Sequence, residues 1–102
     1  MEKNKNLYFI AEIGSNFNSN YKLALKLIES AKNSGADAVK FQLFNPKLLY
    51  PNDKKMQKIL DKFKLNKYWI PKLKKYCNRL DIDFLCSAFD MSSAKFLKKN
   101  KL

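Results

Sequence analysis

Polar side chains interrupt two apolar segments of the sequence where a plain core strand would carry apolar residues. Glu12 lies near the end of Leu7–Ile13, and Lys40 and Gln42 lie near the end of Asp37–Phe44. Strand alternation puts Lys40 and Gln42 on one face and the apolar side chains on the other. A buried charge needs a counter-charge or an anionic ligand. Two interpretations therefore stay open: a site for phosphate or carboxylate, and a structural Glu12–Lys40 ion pair.

Two weaker polar signals follow strands as well. Ser87 ends the apolar segment Ile82–Ser87, and its hydroxyl could reach a site at the strand end. A serine there is more often a turn or cap residue. The loop Ser15–Asn20 is rich in donors and acceptors, and helix capping explains at least one of them. We add to that a substrate contact for Asn16 or Asn18.

These side chains need elements that bring strand ends together, and the sequence predicts three strand–helix units. The predicted strands are Leu7–Ile13, Asp37–Phe44 and Ile82–Ser87. A helix begins at Asn20 or Tyr21 and is closed by a left-handed Gly35. A loop with Pro46 and Pro51 follows the second strand. The later predicted helices are Asp53–Lys64, Asn66 to about Leu80, and a last one capped by Asp90. Pro71 should kink the second of these or delay its start.

The order β-α-β-α(α)-β-α predicts an α/β fold with parallel strands and right-handed crossovers. The first strand is nearly all apolar, as expected for a strand covered on both faces. No glycine-rich dinucleotide or Walker motif follows it, which argues against a nucleotide-binding α/β fold. In a βα barrel, Lys40 and Gln42 would point inward at the end where active sites lie.

Composition narrows the partners. The 102 residues carry a formal charge of +12, and of 21 cationic residues only Arg79 is arginine. Scattered lysines suit a solvated surface better than a nucleic-acid site, which usually uses arginine. Cys77 and Cys86, without any histidine, make no zinc site and are expected to be structural thiols. The N-terminal residues fit neither a signal peptide nor a membrane span, so we expect a cytoplasmic protein.

Three segments together resemble the sialic acid synthase family. They are FIAEIGSNFN at Phe9–Asn18, GADAVKFQLF at Gly35–Phe44 and DFLCSAFDMSSAKFL at Asp83–Leu97. The resemblance runs in register from about Leu7 to the end. It implies that residues 1–102 are the N-terminal part of a (β/α)₈ TIM barrel, comprising the first three βα units, with the other strands and a C-terminal antifreeze-like domain absent.

The resemblance also implies an activity. Family members condense phosphoenolpyruvate with an N-acylated hexosamine such as N-acetylmannosamine, and release phosphate. They use Mn²⁺ or Mg²⁺, whose histidine ligands come from later strands and are absent here, and we expect the full-length protein to be a homodimer. The choice among N-acetylmannosamine, its 6-phosphate and the precursors of legionaminic or pseudaminic acid stays open.

Roles carry over at matching positions. Glu12 matches the first-strand carboxylate at the reacting centre, and Lys40 matches the lysine that holds phosphoenolpyruvate. Gln42 matches a polar group facing the sugar, and Ser87 lies where the family often has threonine. Asn16 is kept as a substrate contact.

Three positions depart from the family pattern. Phe17 replaces the usual His, Ser19 the usual Gly and Ala88 the usual Pro. Without the imidazole, no hydrogen bond that the family makes from that side chain carries over, whereas the Ser and Ala changes affect loop shape more than chemistry.

The main hypothesis is that this chain is a part of a synthase that is inactive on its own. Two other hypotheses compete with it. One is a non-catalytic remnant or anion-binding module that keeps the Lys40 site. The other is a basic nucleic-acid-binding protein, which would show steeply salt-dependent binding.

Overall fold

One parallel sheet of three strands organises the molecule, in the order β1–β2–β3. The strands of this computed structural model, which describes residues 7–100, are β1 (Ile10–Gly14), β2 (Ala38–Leu43) and β3 (Asp83–Ala88). Both neighbouring pairs are parallel, so each connection is a crossover carrying helices. The predicted α/β architecture is confirmed. Each strand begins one to three residues later than predicted, with β1 and β3 also ending one residue later and β2 one earlier.

Helices fill the crossovers and follow the last strand. They are α1 (Tyr21–Asn33), α2 (Pro46–Leu49), α3 (Lys54–Asp61), a 3₁₀ turn (Lys67–Trp69), α4 (Ile70–Arg79) and α5 (Met91–Lys99). The expected caps form, because the Asn20 side chain accepts from the Leu23 amide at 3.1 Å and Gly35 has φ +91° just past α1.

The segment after β2 is the one place where a predicted loop is a helix. Pro46 occupies the first turn of α2, where a proline costs no hydrogen bond, and the Asn45 side chain accepts from the Lys47 amide at 3.0 Å. Proline also acts as predicted further on. Asn66 caps only the 3₁₀ turn, and α4 begins at Ile70 with Pro71 in its first turn.

The core lies on one side of the sheet only. Val39, Phe41 and Leu43 of β2 are buried against Ile28 of α1 and Leu73 of α4, as part of one cluster. Strand alternation leaves Lys40 and Gln42 half-buried on the opposite face. This two-sidedness separates the packing face from the polar face.

In β1, the face turned away from the core and the outer edge are exposed. This corrects the expectation that the first strand is covered on both faces. Ile10 is 48% exposed, and Leu7, Tyr8 and Phe9 are exposed before it. The reason is that β1 pairs with β2 alone among the described strands. Its apolar side chains therefore lack the neighbours that a closed barrel would supply.

Within residues 7–100, every helix is too short or too polar to cross a membrane.

Candidate functional site

The polar face gathers four predicted site residues, from the middle of β1 and β2 to the carboxyl ends of β2 and β3. Glu12 of β1 lies in register with Lys40 of β2, and Gln42 lies in register with Ser87 of β3. Residues paired in parallel strands share a face, so these four side chains project from the same side of the sheet. The carboxyl end of parallel strands is where barrel active sites are built.

Glu12 and Lys40 form an ion pair across β1 and β2. The Lys40 Nζ atom lies 3.7 Å from Glu12 Oε2, and the two side chains remain 38% and 50% exposed respectively. A pair this exposed stabilises a fold by about 1 kcal/mol or less. A direct charge-assisted hydrogen bond would be near 2.8 Å. The contact is therefore loose, and the ammonium keeps donors for another anion.

Gly14 lies beside the Glu12 and Gln42 side chains, and its backbone conformation is one that favours glycine. It has φ +58°, in the left-handed region, and the β1–β2 register shifts between Glu12 and Gly14. A side-chain carbon at this position would lie 3.5 Å from Gln42 Nε2 and 3.8 Å from Glu12 Oε1. The Gln42 amide and the Glu12 carboxylate thus flank one empty point, with Lys40 beside the carboxylate.

Asn16 and Ser87 are placed less closely. Asn16 lies in the turn beyond Gly14, and it lines with Glu12 a cleft of about 460 Å³ along the outer edge of β1. Ser87 is half-buried one strand away from Gln42. The structure therefore groups Glu12, Lys40 and Gln42, and puts Asn16 and Ser87 on either side of that group.

Phe17 belongs to the core and not to this site. Its side chain is 0% exposed and meets the Phe41 ring edge-on, with centroids 5.7 Å apart. A fully buried phenyl group stabilises the fold by roughly 2 kcal/mol. The change from the histidine of the resembled family thus exchanges an imidazole for core packing.

Ser19 fixes the loop from the other side. It has φ +55°, and its hydroxyl donates to the Lys64 carbonyl at 2.7 Å, with the Lys62 carbonyl at 3.2 Å. This hydrogen bond offsets the left-handed backbone, which glycine would adopt at less cost. The β1–α1 loop is thereby tied to the segment that follows α3.

Asp90 has a role that its helix-capping position only partly indicates. Its carboxylate accepts from the Ser93 amide at 2.7 Å and from the Asn45 amide at 2.8 Å. Although burial opposes ionisation, these amides lower the pKa of Asp90 below its usual value. Asp90 therefore joins α5 to the end of β2, a link that depends on tertiary contact and left no signal in the sequence.

The two thiols are structural, as expected. Cys77 is buried in α4 and Cys86 is half-buried in β3, and both are free. Burial raises the pKa of each thiol to about 12. Neither residue therefore offers a ready nucleophile.

Parallel strands in the order β1–β2–β3, helical crossovers and a polar face match the first units of a TIM-barrel domain, as the solved structures below show. A sequence profile of the NeuB family matches residues 27–102. The chain belongs to the NeuB family.

Two relatives of the chain show what kinds of protein belong to this family. The chain is 34% identical over 104 residues to the N,N'-diacetyllegionaminic acid synthase of Legionella pneumophila, with 88% of this chain and 29% of the relative covered. It is 31% identical over 107 residues to the spore coat polysaccharide biosynthesis protein SpsE of Bacillus subtilis, with 94% and 29% covered. The chain thus spans less than a third of these relatives.

Solved structures agree with the fold. The N-acetylneuraminic acid synthetase of Leptospira borgpetersenii superimposes with a TM-score of 0.84 at 28% identity, over 91% of this chain and 33% of that one. The B. subtilis protein SpsE superimposes with a TM-score of 0.74 at 32% identity, over 93% and 27%. Both likenesses extend over nearly all of this chain.

Proposed function

We propose that this chain forms the phosphoenolpyruvate end of a nonulosonate synthase, which condenses phosphoenolpyruvate with an N-acylated hexosamine and releases phosphate. The observation that carries the proposal is the loose Glu12–Lys40 pair on adjacent parallel strands, on the face that also carries Gln42 near the carboxyl end of β2. Membership of a family whose relatives are named synthases supports the reaction class.

Lys40 binds the anion in this proposal. Its ammonium is a point charge with three donors, and the 3.7 Å contact with Glu12 leaves it free to turn toward a phosphate or carboxylate. Phosphoenolpyruvate carries both groups. A fixed cation at this position holds the substrate and offsets charge on the departing phosphate.

Glu12 acts at the reacting centre. When the methylene carbon of the enolpyruvate attacks the sugar aldehyde, a carbon–carbon bond forms and positive charge develops at the neighbouring carbon. The Glu12 carboxylate stabilises that charge and takes the proton of the water that adds there. The carbon–oxygen bond to phosphate then breaks with its electron pair leaving on phosphate, while the added water oxygen becomes the ketone oxygen and its second proton goes to the phosphate. The proton held by Glu12 passes to the aldehyde oxygen, which becomes a hydroxyl.

The remaining polar residues bind substrate. The Gln42 amide, beside Gly14, faces the sugar hydroxyls, and the Ser87 hydroxyl contacts phosphoenolpyruvate. Asn16 contacts substrate from the β1–α1 loop. Each of these is a neutral donor and acceptor, which suits ligands rich in oxygen.

A divalent metal, Mn²⁺ or Mg²⁺, is part of the proposal for the complete enzyme, where it would polarise the sugar aldehyde. Among the residues that the structure describes, no three histidine, cysteine, aspartate or glutamate side chains converge to hold one. The donor set of this segment does not fit such a group. We assign the metal to other parts of a complete enzyme, which we also expect to be a cytoplasmic homodimer.

A non-catalytic anion-binding module is the second candidate. The exposed ammonium of Lys40 is the observation that favours it, since anion binding alone needs neither the metal nor the rest of a barrel. Nucleic-acid binding is a weaker third candidate, resting on the formal charge of +12.

A chimera separates these candidates. Residues 7–100 would replace the matching segment of the Legionella pneumophila synthase, and the product would be measured by mass spectrometry with each candidate hexosamine. We expect the chimera to form a nonulosonate and the isolated chain to form none. Lys40→Met and Glu12→Gln should each lower kcat/KM at least roughly a hundredfold, and the exposed Lys98→Met on α5 should not.

The contrary results are equally specific. A folded chimera that forms no nonulosonate would favour the binding-module candidate. A chimera as active with Lys40→Met as without it would remove the lysine from the reaction.

A further inference from the structure

A second cleft, of about 470 Å³, lies on the helix side of the sheet. The 3₁₀ turn, the first turns of α5 and the end of β2 form its walls. Leu43 lines it and lies on the strand face opposite Lys40 and Gln42, so the cleft is separate from the candidate synthase site. Its volume is in the range of small-molecule sites.

Aromatic side chains line much of this cleft. Phe44, Tyr68, Trp69 and Phe96 all contribute to its walls. The Tyr68 and Phe96 rings meet nearly at right angles, at 87°, with centroids 6.5 Å apart. Ring faces and edges held in this way suit a planar apolar group of a ligand, which can stack or meet them edge-on.

One cation of the cleft is free to meet an anion. Lys67 Nζ lies 5.4 Å from both the Tyr68 and the Phe96 ring centroid, and it forms no salt bridge with any carboxylate in residues 7–100. The other lysine of the cleft, Lys64, is already paired with Asp61 at 3.2 Å. Aromatic rings thus position the Lys67 ammonium without neutralising it.

The α5 terminus does not compete for the ligand. Its Ser93 amide already donates to the Asp90 carboxylate at 2.7 Å, and the Ser93 hydroxyl donates to the same carboxylate. A ligand anion would meet repulsion there, because the lowered pKa of Asp90 keeps that group ionised. The charge of a bound molecule must therefore lie at the Lys67 side.

We propose that this cleft binds a small organic anion that carries an aromatic ring, with the anionic group on Lys67 and the ring against Tyr68, Trp69 and Phe96. The site is additional to the proposed synthase chemistry and does not depend on it. Its ligand combines one negatively charged group, phosphate or carboxylate, with one flat apolar group.

Phenyl phosphate is the probe, with inorganic phosphate and phenol as its two halves. Trp69 is the only tryptophan of the 102 residues and lines the cleft, so its fluorescence reports binding directly. Calorimetry supplies a readout that does not depend on the fluorophore. We expect saturable binding of phenyl phosphate that is roughly tenfold or more tighter than that of either half.

Variants locate the binding. Lys67→Gln should weaken it roughly tenfold, since a charge-assisted hydrogen bond is lost, and Phe96→Leu should weaken it by removing a ring. Lys98→Gln, also on the surface, should bind as the parent does. The Trp69 signal keeps this test separate from that of the synthase site, because Trp69 lines the cleft and Lys40 lies on the opposite face of the sheet.

Three results would overturn the proposal. They are the absence of saturable binding by both methods, equal affinity for phenyl phosphate and inorganic phosphate, and unchanged affinity in folded Lys67→Gln. If circular dichroism shows that Lys67→Gln is unfolded, an unchanged affinity of Phe96→Leu for phenyl phosphate would overturn the proposal instead.

Discussion

At the scale of single residues, the charged side chains of the polar face are partly exposed to solvent, and the ion pair between them is weak. Lys40 and Glu12 lie 3.7 Å apart and both remain partly solvated, so their mutual attraction adds little to the free energy of unfolding. Strand alternation predicts that Lys40 and Gln42 share a face, and the strand register places Glu12 on that face as well. The role of Gly14 was not predictable, because it depends on a register shift between strands that are distant in sequence.

The contribution of Phe17 to the core can be tested by restoring the histidine that the resembled family has at this position. Phe17→His should lower the free energy of unfolding by about 2–3 kcal/mol, because a polar imidazole replaces a phenyl group in an apolar site. Phe17→Leu is the matched control and should cost only about 1 kcal/mol. Urea unfolding measures both.

The same histidine variant has a signature in pH. Burial disfavours the imidazolium, so the folded pKa lies below the unfolded value of about 6.5. The unfolded state then binds more protons, and the deficit of Phe17→His should grow as pH falls below about 6.5. A histidine variant as stable as the leucine variant at every pH would show that position 17 is not in the core.

The thiols give a second test at this scale. With the pKa of both Cys77 and Cys86 raised to about 12, little thiolate exists at pH 8. We expect slow reaction with a disulfide reagent in the native protein and fast reaction of both thiols in urea. Prompt native labelling of Cys77 would contradict its burial in α4.

At the scale of elements, the sequence predicts helix starts correctly where residues close together in the chain determine them. Asn20, Asp53 and Asp90 cap α1, α3 and α5, as their side-chain chemistry indicates. Pro71 delays α4 as predicted. The short α2 departs from the predicted loop because Pro46 lies in a helical first turn, where its missing amide costs no hydrogen bond.

Asp90 allows two similar caps to be compared. Asp90→Ala should lower the free energy of unfolding by about 1–2 kcal/mol, because the Ser93 and Asn45 amides both lose their acceptor. Asp53→Ala is the matched control. It should cost less, since α3 buries none of its side chains.

The Asp90 contribution should also fade in acid. Its folded pKa is lowered from 3.8, so its stabilisation is fully present above that value and is lost as pH falls through the folded pKa. The difference between parent and Asp90→Ala should therefore shrink below about pH 4. Equal costs for the two aspartate variants at neutral pH would contradict the link between α5 and β2.

At the scale of the whole molecule, one face of the sheet carries the core and the other carries the site. The sequence order of strands and helices predicted the parallel sheet, with which the family likeness agrees, and strand alternation predicted the polar face of β2. The sequence could not predict how far β1 is exposed, because burial depends on which elements surround the sheet. Residues 7–10 are exposed along an edge that pairs on one side only.

That open edge predicts association of the isolated chain. An unpaired strand edge with exposed apolar side chains offers itself to another chain. We expect the 102-residue protein to form oligomers at rising concentration, measured by light scattering after size exclusion. Ile10→Lys should reduce association, because a charged edge disfavours strand pairing, whereas Lys98→Glu should not. A strictly monomeric parent at high concentration would contradict this expectation.

The central claim is that Lys40 holds phosphoenolpyruvate, and the most direct measurement is the pair of Michaelis constants in the active chimera with and without Lys40→Met. We predict that the KM for phosphoenolpyruvate rises roughly ten- to a hundredfold, in line with one lost charge-assisted contact, while the KM for the hexosamine stays the same. An unchanged KM for phosphoenolpyruvate, or an equal rise in both constants, would contradict the claim.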